Sequence, residues 1–303
     1  MKHSKRRRRK RSGIWRGLCW LAALLVIALL LSRSVLCGIT SRYAVLLDLE
    51  TGQVLAGKHA DIPCDPASLT KMMTALVVLE ALPDLEEPVT LPEEIFPPLY
   101  AENASMAGFC PGETVTVRDL LHGAMLPSGA ECCTALALRV SGSEEAFVEQ
   151  MNRKAQALGM KHTHFCNPTG LTEPEHKSTA ADLATLLRAA LKEPAFRALF
   201  TTRTYTASAT PQHPDGLCVS STLLSRMDGT ELEGGAILGG KTGYTNAAGL
   251  CLASLARIGE TEYILVTLGA PGDHTTTQYN IEDALCVYAR LKEEKDLLSR
   301  ILP

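Results

Sequence analysis

The sequence predicts an α/β fold of the α+β kind: an antiparallel sheet flanked by helices, with an all-helical subdomain inserted between early and late strands. Three observations point there. Strand-like segments stand at both ends of residues 40–303, Arg42–Asp48 and Val54–Lys58 early, and Thr202–Ser208, Ala236–Lys241, Gly249–Arg257 and Glu262–Leu268 late. Helical patterns fill the stretch between them, about residues 67–200. The 303 residues are 46% hydrophobic and 21% charged, which provides a substantial core and excludes a disordered chain. A cleft between such subdomains is where a site is expected.

The N-terminal segment reads as an address. A basic run, Lys5–Arg11, is followed by Leu18–Leu31, fourteen apolar residues without a charge. That is the pattern of a secretory signal or of an uncleaved membrane anchor, and both readings stay open. Fourteen residues fall short of the ~20 that cross a bilayer. Extension to Ile39 supplies the length if Arg33 snorkels at the outer interface. Residues 1–39 are therefore assigned to the leader or anchor and 40–303 to one domain outside the cytoplasmic membrane. Residues 1–16 hold nine Lys and Arg, leaving 21 basic residues against 33 acidic ones in the remainder, a balance of −12. An acidic body with 5% aromatics argues against a nucleic-acid partner.

The elements follow in order. Gly52-Gln53 turns the first strand into the second. Ala67–Leu82 is helical and stops before Pro83. Residues 83–116, rich in Pro, Glu and Gly, read as irregular. Val117–Met125, Glu131–Val140, Ser143–Leu158 and Ser178–Lys192 read as helices, the third capped by Ser143 and ended by Gly159. The last two strands surround Gly259-Glu260 as a hairpin, and Asp283–Ile301 is a closing helix. Eight cysteines lie beyond the leader. An exported even number permits disulfides, but the spacing is irregular, and buried small hydrophobes are an equal alternative.

Three short motifs carry candidate chemistry. Ser68-Leu69-Thr70-Lys71 opens a helix, where positions three apart share a face, so Lys71 can meet Ser68. A serine hydroxyl needs a base to become a nucleophile, and a desolvated lysine can be that base. The helix start also aims N–H groups at an oxyanion formed at Ser68. Lys241-Thr242-Gly243 ends a strand, with a charge, a hydroxyl and room for a substrate backbone. Ser128, before a helix, can relay a proton between the two lysines or simply cap that helix. His162, His164 and Cys166 alternate as metal ligands would on a strand, but no fourth ligand is evident.

In this order, the three motifs resemble those of penicillin-binding proteins and class A β-lactamases. The context narrows the resemblance to the serine-type D-alanyl-D-alanine carboxypeptidases, the low-molecular-mass penicillin-binding proteins of peptidase family S11. Asp48–Val54, Pro66–Thr74, Gly112-Glu113 with Val117–Leu121, Asn167–Leu171 with Ser178–Asp182, and Lys241–Thr245 with Ala247–Gly249 are similar to that family, across about residues 40–300. The resemblance implies a β-lactamase/transpeptidase-like fold and removal of the terminal D-Ala from peptidoglycan stem peptides, with no cofactor and no metal. It implies Ser68 as nucleophile, Lys71 as its base, and Ser128 as the proton relay. Lys241 and Thr242 would bind the terminal carboxylate, Gly243 would let the substrate approach, and the N–H groups of Ser68 and Tyr244 would hold the oxyanion. β-Lactams would acylate Ser68.

Two departures stand out. Ala130 replaces the family's usual Asn. The sequence ends soon after the closing helix, without the extra β domain and C-terminal membrane helix that many members carry, which makes the N-terminal segment the expected membrane attachment. Two rivals share the motifs: a catalytically silent peptidoglycan or β-lactam sensor, which Ala130 favours, and a β-lactamase, for which Glu173 or Glu175 would have to drive deacylation.

Overall fold

The computed structural model describes residues 35–227, 231–232 and 234–301. The basic run and the apolar stretch Leu18–Leu31 lie outside the described residues. Early and late strands do share one antiparallel sheet. In chain order its strands are β1 (Tyr43–Asp48), β2 (Val54–Lys58), β7 (Glu231–Leu232), β8 (Gly235–Thr245), β9 (Gly249–Ile258) and β10 (Thr261–Ala270). In space they run β2-β1-β10-β9-β8-β7. Strand β1 crosses the full chain length to pair with β10, with Val45 opposite Val266 and Leu46 opposite Leu265.

Alternation along the strands divides the core in two. Val45, Ile264 and Val266 face the helical subdomain. Leu46, Leu252 and Leu265 face the closing helix α8 (Tyr279–Ile301) through its Ala284, Val287 and Tyr288. Both faces are covered, which is why these strands read as near-continuous apolar runs.

Between β2 and β7 lie a one-turn 3-10 helix at Ala67–Thr70, α1 (Lys71–Ala81), α2 (Phe96–Ala101), α3 (Val117–Met125), α4 (Ala130–Ser141), α5 (Glu144–Ala157), α6 (Ala180–Ala190) and α7 (Pro194–Thr201). Helix α1 is buried around most of its circumference, Lys71 through Val78, so it forms the axis of the subdomain. Thr116 and Asp119 form a reciprocal cap on α3, Ser143 caps α5, and Thr179 caps α6.

Several expectations need correction. Residues 83–116 are not irregular. They hold a two-stranded ribbon, β3 (Pro88–Thr90) with β4 (Thr114–Thr116), and α2, whose two prolines sit in its first turn, where proline costs no hydrogen bond. The segment Thr202–Ser208 is not a strand of the main sheet. Its core, β5 (Thr204–Thr206), pairs with β6 (Cys218–Ser220) in a separate ribbon. Tyr205 turns inward there, stacks on His122 at 3.7 Å and donates its hydroxyl to Asp119 at 2.7 Å, so the ribbon belongs to α3. Strand β8 runs through Lys241-Thr242-Gly243 to Thr245 rather than ending at Lys241.

Residues 35–41 pack against α8. Val35, Leu36 and Ile39 join the core on that side of the sheet. The Asp283 carboxylate accepts from the N–H and hydroxyl groups of both Thr40 and Ser41 at 2.6–3.0 Å. Arg290 donates to the carbonyls of Val35 and Cys37. The nine described cysteines are all free thiols. Among the described residues no helix is long and apolar enough to cross a membrane.

Candidate active site

The site forms where the start of α1 meets β8. The 3-10 turn lifts Ser68 towards the strand, and Ala67 before it has φ +47°, the left-handed region that costs a residue with a β-carbon energy. Two glycines clamp the turn. A β-carbon on Gly170 would lie 2.0 Å from the Ala67 carbonyl oxygen, and one on Gly243 would lie 3.0 Å from the Ser68 nitrogen. Only glycine lets both segments come so close.

Lys71 is the first residue of α1 and is 2% exposed. Its Nζ lies 3.1 Å from Ser68 Oγ and donates to the Thr169 carbonyl at 2.6 Å. Burial pushes its pKa below the ordinary lysine value, with Cys133 and Glu131 opposing. A lowered pKa makes the neutral amine, the form that can accept a proton, more accessible.

Sequence reasoning gave no role to the loop that receives this amine. Asn167 Oδ1 accepts from the N–H of Thr169 (3.2 Å), the hydroxyl of Thr169 (3.0 Å) and the N–H of Gly170 (2.7 Å). Thr74 Oγ1 donates to the Pro168 carbonyl at 2.6 Å. Asn167 thus shapes the loop that presents the Thr169 carbonyl to Lys71. The signal was the Asn-Pro-Thr-Gly-Leu string itself.

His176 fastens the same region. Its Nδ1 accepts from the Cys166 N–H at 3.1 Å, so Nε2 carries the proton and donates to Thr70 Oγ1 at 2.8 Å. Burial pushes its pKa down to about 4, which keeps the ring neutral. The His162–His164–Cys166 segment forms no strand. His164 makes an isolated bridge to Lys177, and the Cys166 N–H serves His176. Among the described residues the one gathered set of metal-capable side chains is Cys110, Glu113 and His213. There the Glu113 carboxylate already takes Thr210 Oγ1, His213 Nδ1 and the Cys110 N–H, joining two loops.

Ser128 is not a helix cap; that position belongs to Gly129. Ser128 has φ +75°, and its buried Oγ has no hydrogen-bond partner among the described residues. It lines the same cleft as Ser68 and Thr242. Lys241 is 0% exposed, and its Nζ donates to the Thr242 carbonyl at 2.8 Å. Burial and then the charge of Lys71 drive its pKa well below the ordinary value. The guanidinium that lines this part of the cleft is that of Arg226. Thr242 Oγ1 meets Thr222 Oγ1 at 2.5 Å, and Tyr244 packs edge-on against His274 at 4.8 Å.

Strand β8 pairs fully with β9 but meets β7 only at Gly235 and Ala236. Among the described residues its stretch beside Ser68 is an open edge, which suits an extended peptide. Across the cleft, Ala130 and Ser105 form the wall, and the Ala130 N–H donates to the Ser105 carbonyl at 2.8 Å. Glu131 holds that wall from behind, accepting from the N–H groups of Ala107 (2.7 Å) and Gly108 (3.0 Å).

An antiparallel sheet with a helical subdomain that carries a serine and a buried lysine at a helix start gives the molecule the penicillin-binding, β-lactamase-like fold. The chain belongs to the D-alanyl-D-alanine carboxypeptidase family, peptidase family S11, whose model matches residues 32–272. The D-alanyl-D-alanine carboxypeptidase DacF of Bacillus subtilis is 36% identical over 76% of this chain. The chain spans 57% of that relative's length. The solved Streptomyces K15 DD-transpeptidase is 30% identical with a TM-score of 0.72, covering 83% of this chain and 97% of its own. A D-alanyl-D-alanine carboxypeptidase from Mycobacterium tuberculosis is 29% identical with a TM-score of 0.69, covering 86% and 92%.

Proposed function

We propose that this chain is a D-alanyl-D-alanine carboxypeptidase that removes the terminal D-Ala from peptidoglycan stem peptides through an acyl-enzyme on Ser68. The observation that carries this reading is the 3.1 Å separation of the buried Lys71 amine from Ser68 Oγ, beside an open strand edge. The stem peptide lies along β8 and adds a strand to the sheet. Lys71 Nζ takes the proton as Ser68 Oγ attacks the carbonyl carbon of the penultimate D-Ala. The N–H groups of Ser68 and Tyr244 hold the oxygen that becomes negative. The C–N bond then breaks, and Ser128 Oγ, fed by Lys71, delivers a proton to the departing amine. Water hydrolyses the ester and restores Ser68. Lys241 secures the Thr242 carbonyl and so the strand, and Gly243 keeps that strand in contact with the Ser68 peptide.

The domain works on the outer side of the cytoplasmic membrane, secreted or held by its basic, apolar N-terminal segment. A β-lactam, which mimics the terminal dipeptide, acylates Ser68.

Release of D-Ala from a pentapeptide, with fluorescent-penicillin labelling that disappears in Ser68→Ala, tests the reading. Labelling without D-Ala release would replace it with the sensor, the outcome that Ala130 would explain. Rapid penicillin turnover without D-Ala release would replace it with a β-lactamase. Against the β-lactamase stands Glu173, whose Oε1 accepts from Asn167 Nδ2 at 2.7 Å.

A further inference from the structure

We propose that Cys110, Glu113 and His213 form a structural site for a zinc-class divalent cation, which braces the wall of the cleft from outside. None of the three lines the cleft that holds Ser68. Their ligand atoms lie within 4.8 Å of one another. A tetrahedral zinc ion with bonds of about 2.0–2.3 Å holds its ligands roughly 3.3–3.7 Å apart, so each atom closes in by less than about 1 Å.

Two tight turns present these groups. Cys110-Pro111-Gly112-Glu113 closes on itself, with the Glu113 N–H donating to the Cys110 carbonyl at 3.1 Å and Gly112 taking φ +74°. Such a turn brings its first and fourth residues together, the spacing that C-x-x-C ligand pairs use. Facing it, on the loop joining β5 to β6, His213 closes a second turn. Its N–H donates to Thr210 Oγ1 at 3.0 Å, and its carbonyl accepts from the Thr210 N–H at 3.0 Å. Neither turn has to fold around the ion, which lowers the ordering cost of binding.

The hydrogen bonds suit a metal site. Glu113 Oε1 accepts from Thr210 Oγ1 at 2.5 Å, and Oε2 accepts from the Cys110 N–H at 2.7 Å. These two bonds stay in place as the outer shell that orients a ligating carboxylate. The third bond, from His213 Nδ1 to Glu113 Oε1 at 2.8 Å, joins the two groups through a single proton, and the cation takes that proton's place. His213 then ligates through Nδ1 and carries its proton on Nε2, while the Cys110 thiol gives its proton to water. Thiolate and carboxylate together balance the divalent charge, and a water completes the tetrahedron. A sulfur, a nitrogen and an oxygen ligand favour zinc over magnesium or calcium, which take oxygen ligands. His213 is 22% exposed and Glu113 0%, so an ion enters from the His213 side. The chain runs from the cleft wall straight to this site: Ser105 lines the cleft, Glu131 holds Ala107 and Gly108, and Cys110 follows.

The test uses the full-length protein, freed of metal by chelation, then titrated with zinc in a calorimeter and with cobalt(II) by absorbance. The wild type should bind about one zinc ion per chain with release of about one proton. With cobalt it should give the charge-transfer band of a thiolate ligand. Cys110→Ser should lose that band. His213→Gln, which keeps a donor for Glu113, should weaken zinc binding at least about 100-fold, the top of the range for losing an outer-shell partner. Zinc should raise the melting temperature of the wild type and slow amide exchange at Ala107 and Gly108, and should do neither in Cys110→Ser. Equal melting temperatures without metal show that both variants fold. Absence of zinc binding in the wild type overturns the proposal, and so does binding that is unchanged in either variant. Neither result touches the carboxypeptidase reading, which D-Ala release decides.

Discussion

The Lys71 amine donates to the backbone carbonyl of Thr169 at 2.6 Å, a residue 98 positions away. The amine proposed as the general base is therefore aimed by a loop as well as by its own helix. Asn167 shapes that loop with three accepted hydrogen bonds. Asn167→Ala should lower the rate of penicillin acylation roughly 10- to 100-fold and cost about 1–3 kcal/mol of stability by leaving donors unpaired. Stopped-flow acylation beside thermal melts checks both. A folded variant that acylates at the wild-type rate would show that the loop does not aim the lysine.

The pH profile follows from the burial of Lys71. Its pKa lies below 10.5 because charge is disfavoured in the sealed pocket. The active form is the neutral amine, so acylation should rise with pH through the lowered pKa and then level off. The rising limb should fall below the ordinary lysine range. Lys71→Arg, which keeps a cation that cannot deprotonate, should abolish acylation across that range. A profile rising only near the pKa of a free lysine would count against Lys71 as the base.

Ala130 leaves Lys71 with two hydrogen-bond partners, Ser68 Oγ and the Thr169 carbonyl. Ala130 is 1% exposed and lines the same cleft as Lys71, so a longer side chain there is directed towards the lysine. Ala130→Asn should place an amide beside the lysine and raise the acylation rate roughly 3- to 10-fold, on the order of 1 kcal/mol. A slower variant with an unchanged melting temperature would mean that the methyl is the better partner in this pocket.

Much of this geometry was legible in the chain. The Ser68–Lys71 spacing on a helix start and the apolar runs of β9 and β10 pointed to the pair and the sheet because both follow local periodicity. What the sequence hid depends on contacts between distant segments. Lys241 reads as a strand-end cation offered to the substrate, yet the packed sheet buries it completely. Arg226 reads as an ordinary loop residue until Gln278, 52 residues later, draws it across the cleft. Ser128 reads as a cap because Ser before a helix usually is one, and only its left-handed backbone shows otherwise. The paired prolines of α2 signalled a break, although in a first turn they start a helix.

His176 provides an acid-side stability test. It is 1% exposed, its Nδ1 must stay unprotonated to accept from Cys166, and its pKa falls from 6.5 to about 4. Its folded pKa lies below its unfolded one, so protonation favours unfolding. The stabilisation is fully present above about pH 6.5 and is lost as pH falls towards 4, a change of order 3 kcal/mol. Burial dominates this shift; Asp65 opposes it, while His164, Lys177 and Lys71 add to it. His176→Gln, which retains a donor and an acceptor, should flatten the decline in melting temperature between pH 6.5 and 4. It should also loosen Thr70 and slow acylation at neutral pH. An equally steep decline in the variant would assign the acid sensitivity to other groups.

The last prediction concerns the seam between the two ends of the described chain. Asp283, buried on α8, accepts four hydrogen bonds from Thr40 and Ser41, two of them from backbone N–H groups. Lys58 adds to the seam, donating to the carbonyls of Ile39 (3.0 Å) and Ser41 (2.7 Å). Asp283→Ala leaves those donors without an acceptor in a largely dry place and should cost about 2–4 kcal/mol. The loss should appear as a lower melting temperature and as faster amide exchange at Thr40, Ser41 and the adjoining turn of α8. The Ser68–Lys71 pair lies on the opposite core of the sheet, so penicillin acylation at low temperature should change far less than stability does. If acylation fell in step with stability, the two cores would be mechanically coupled through β1 and β10. The strand register that joins Leu46 to Leu265 would then be the route to examine.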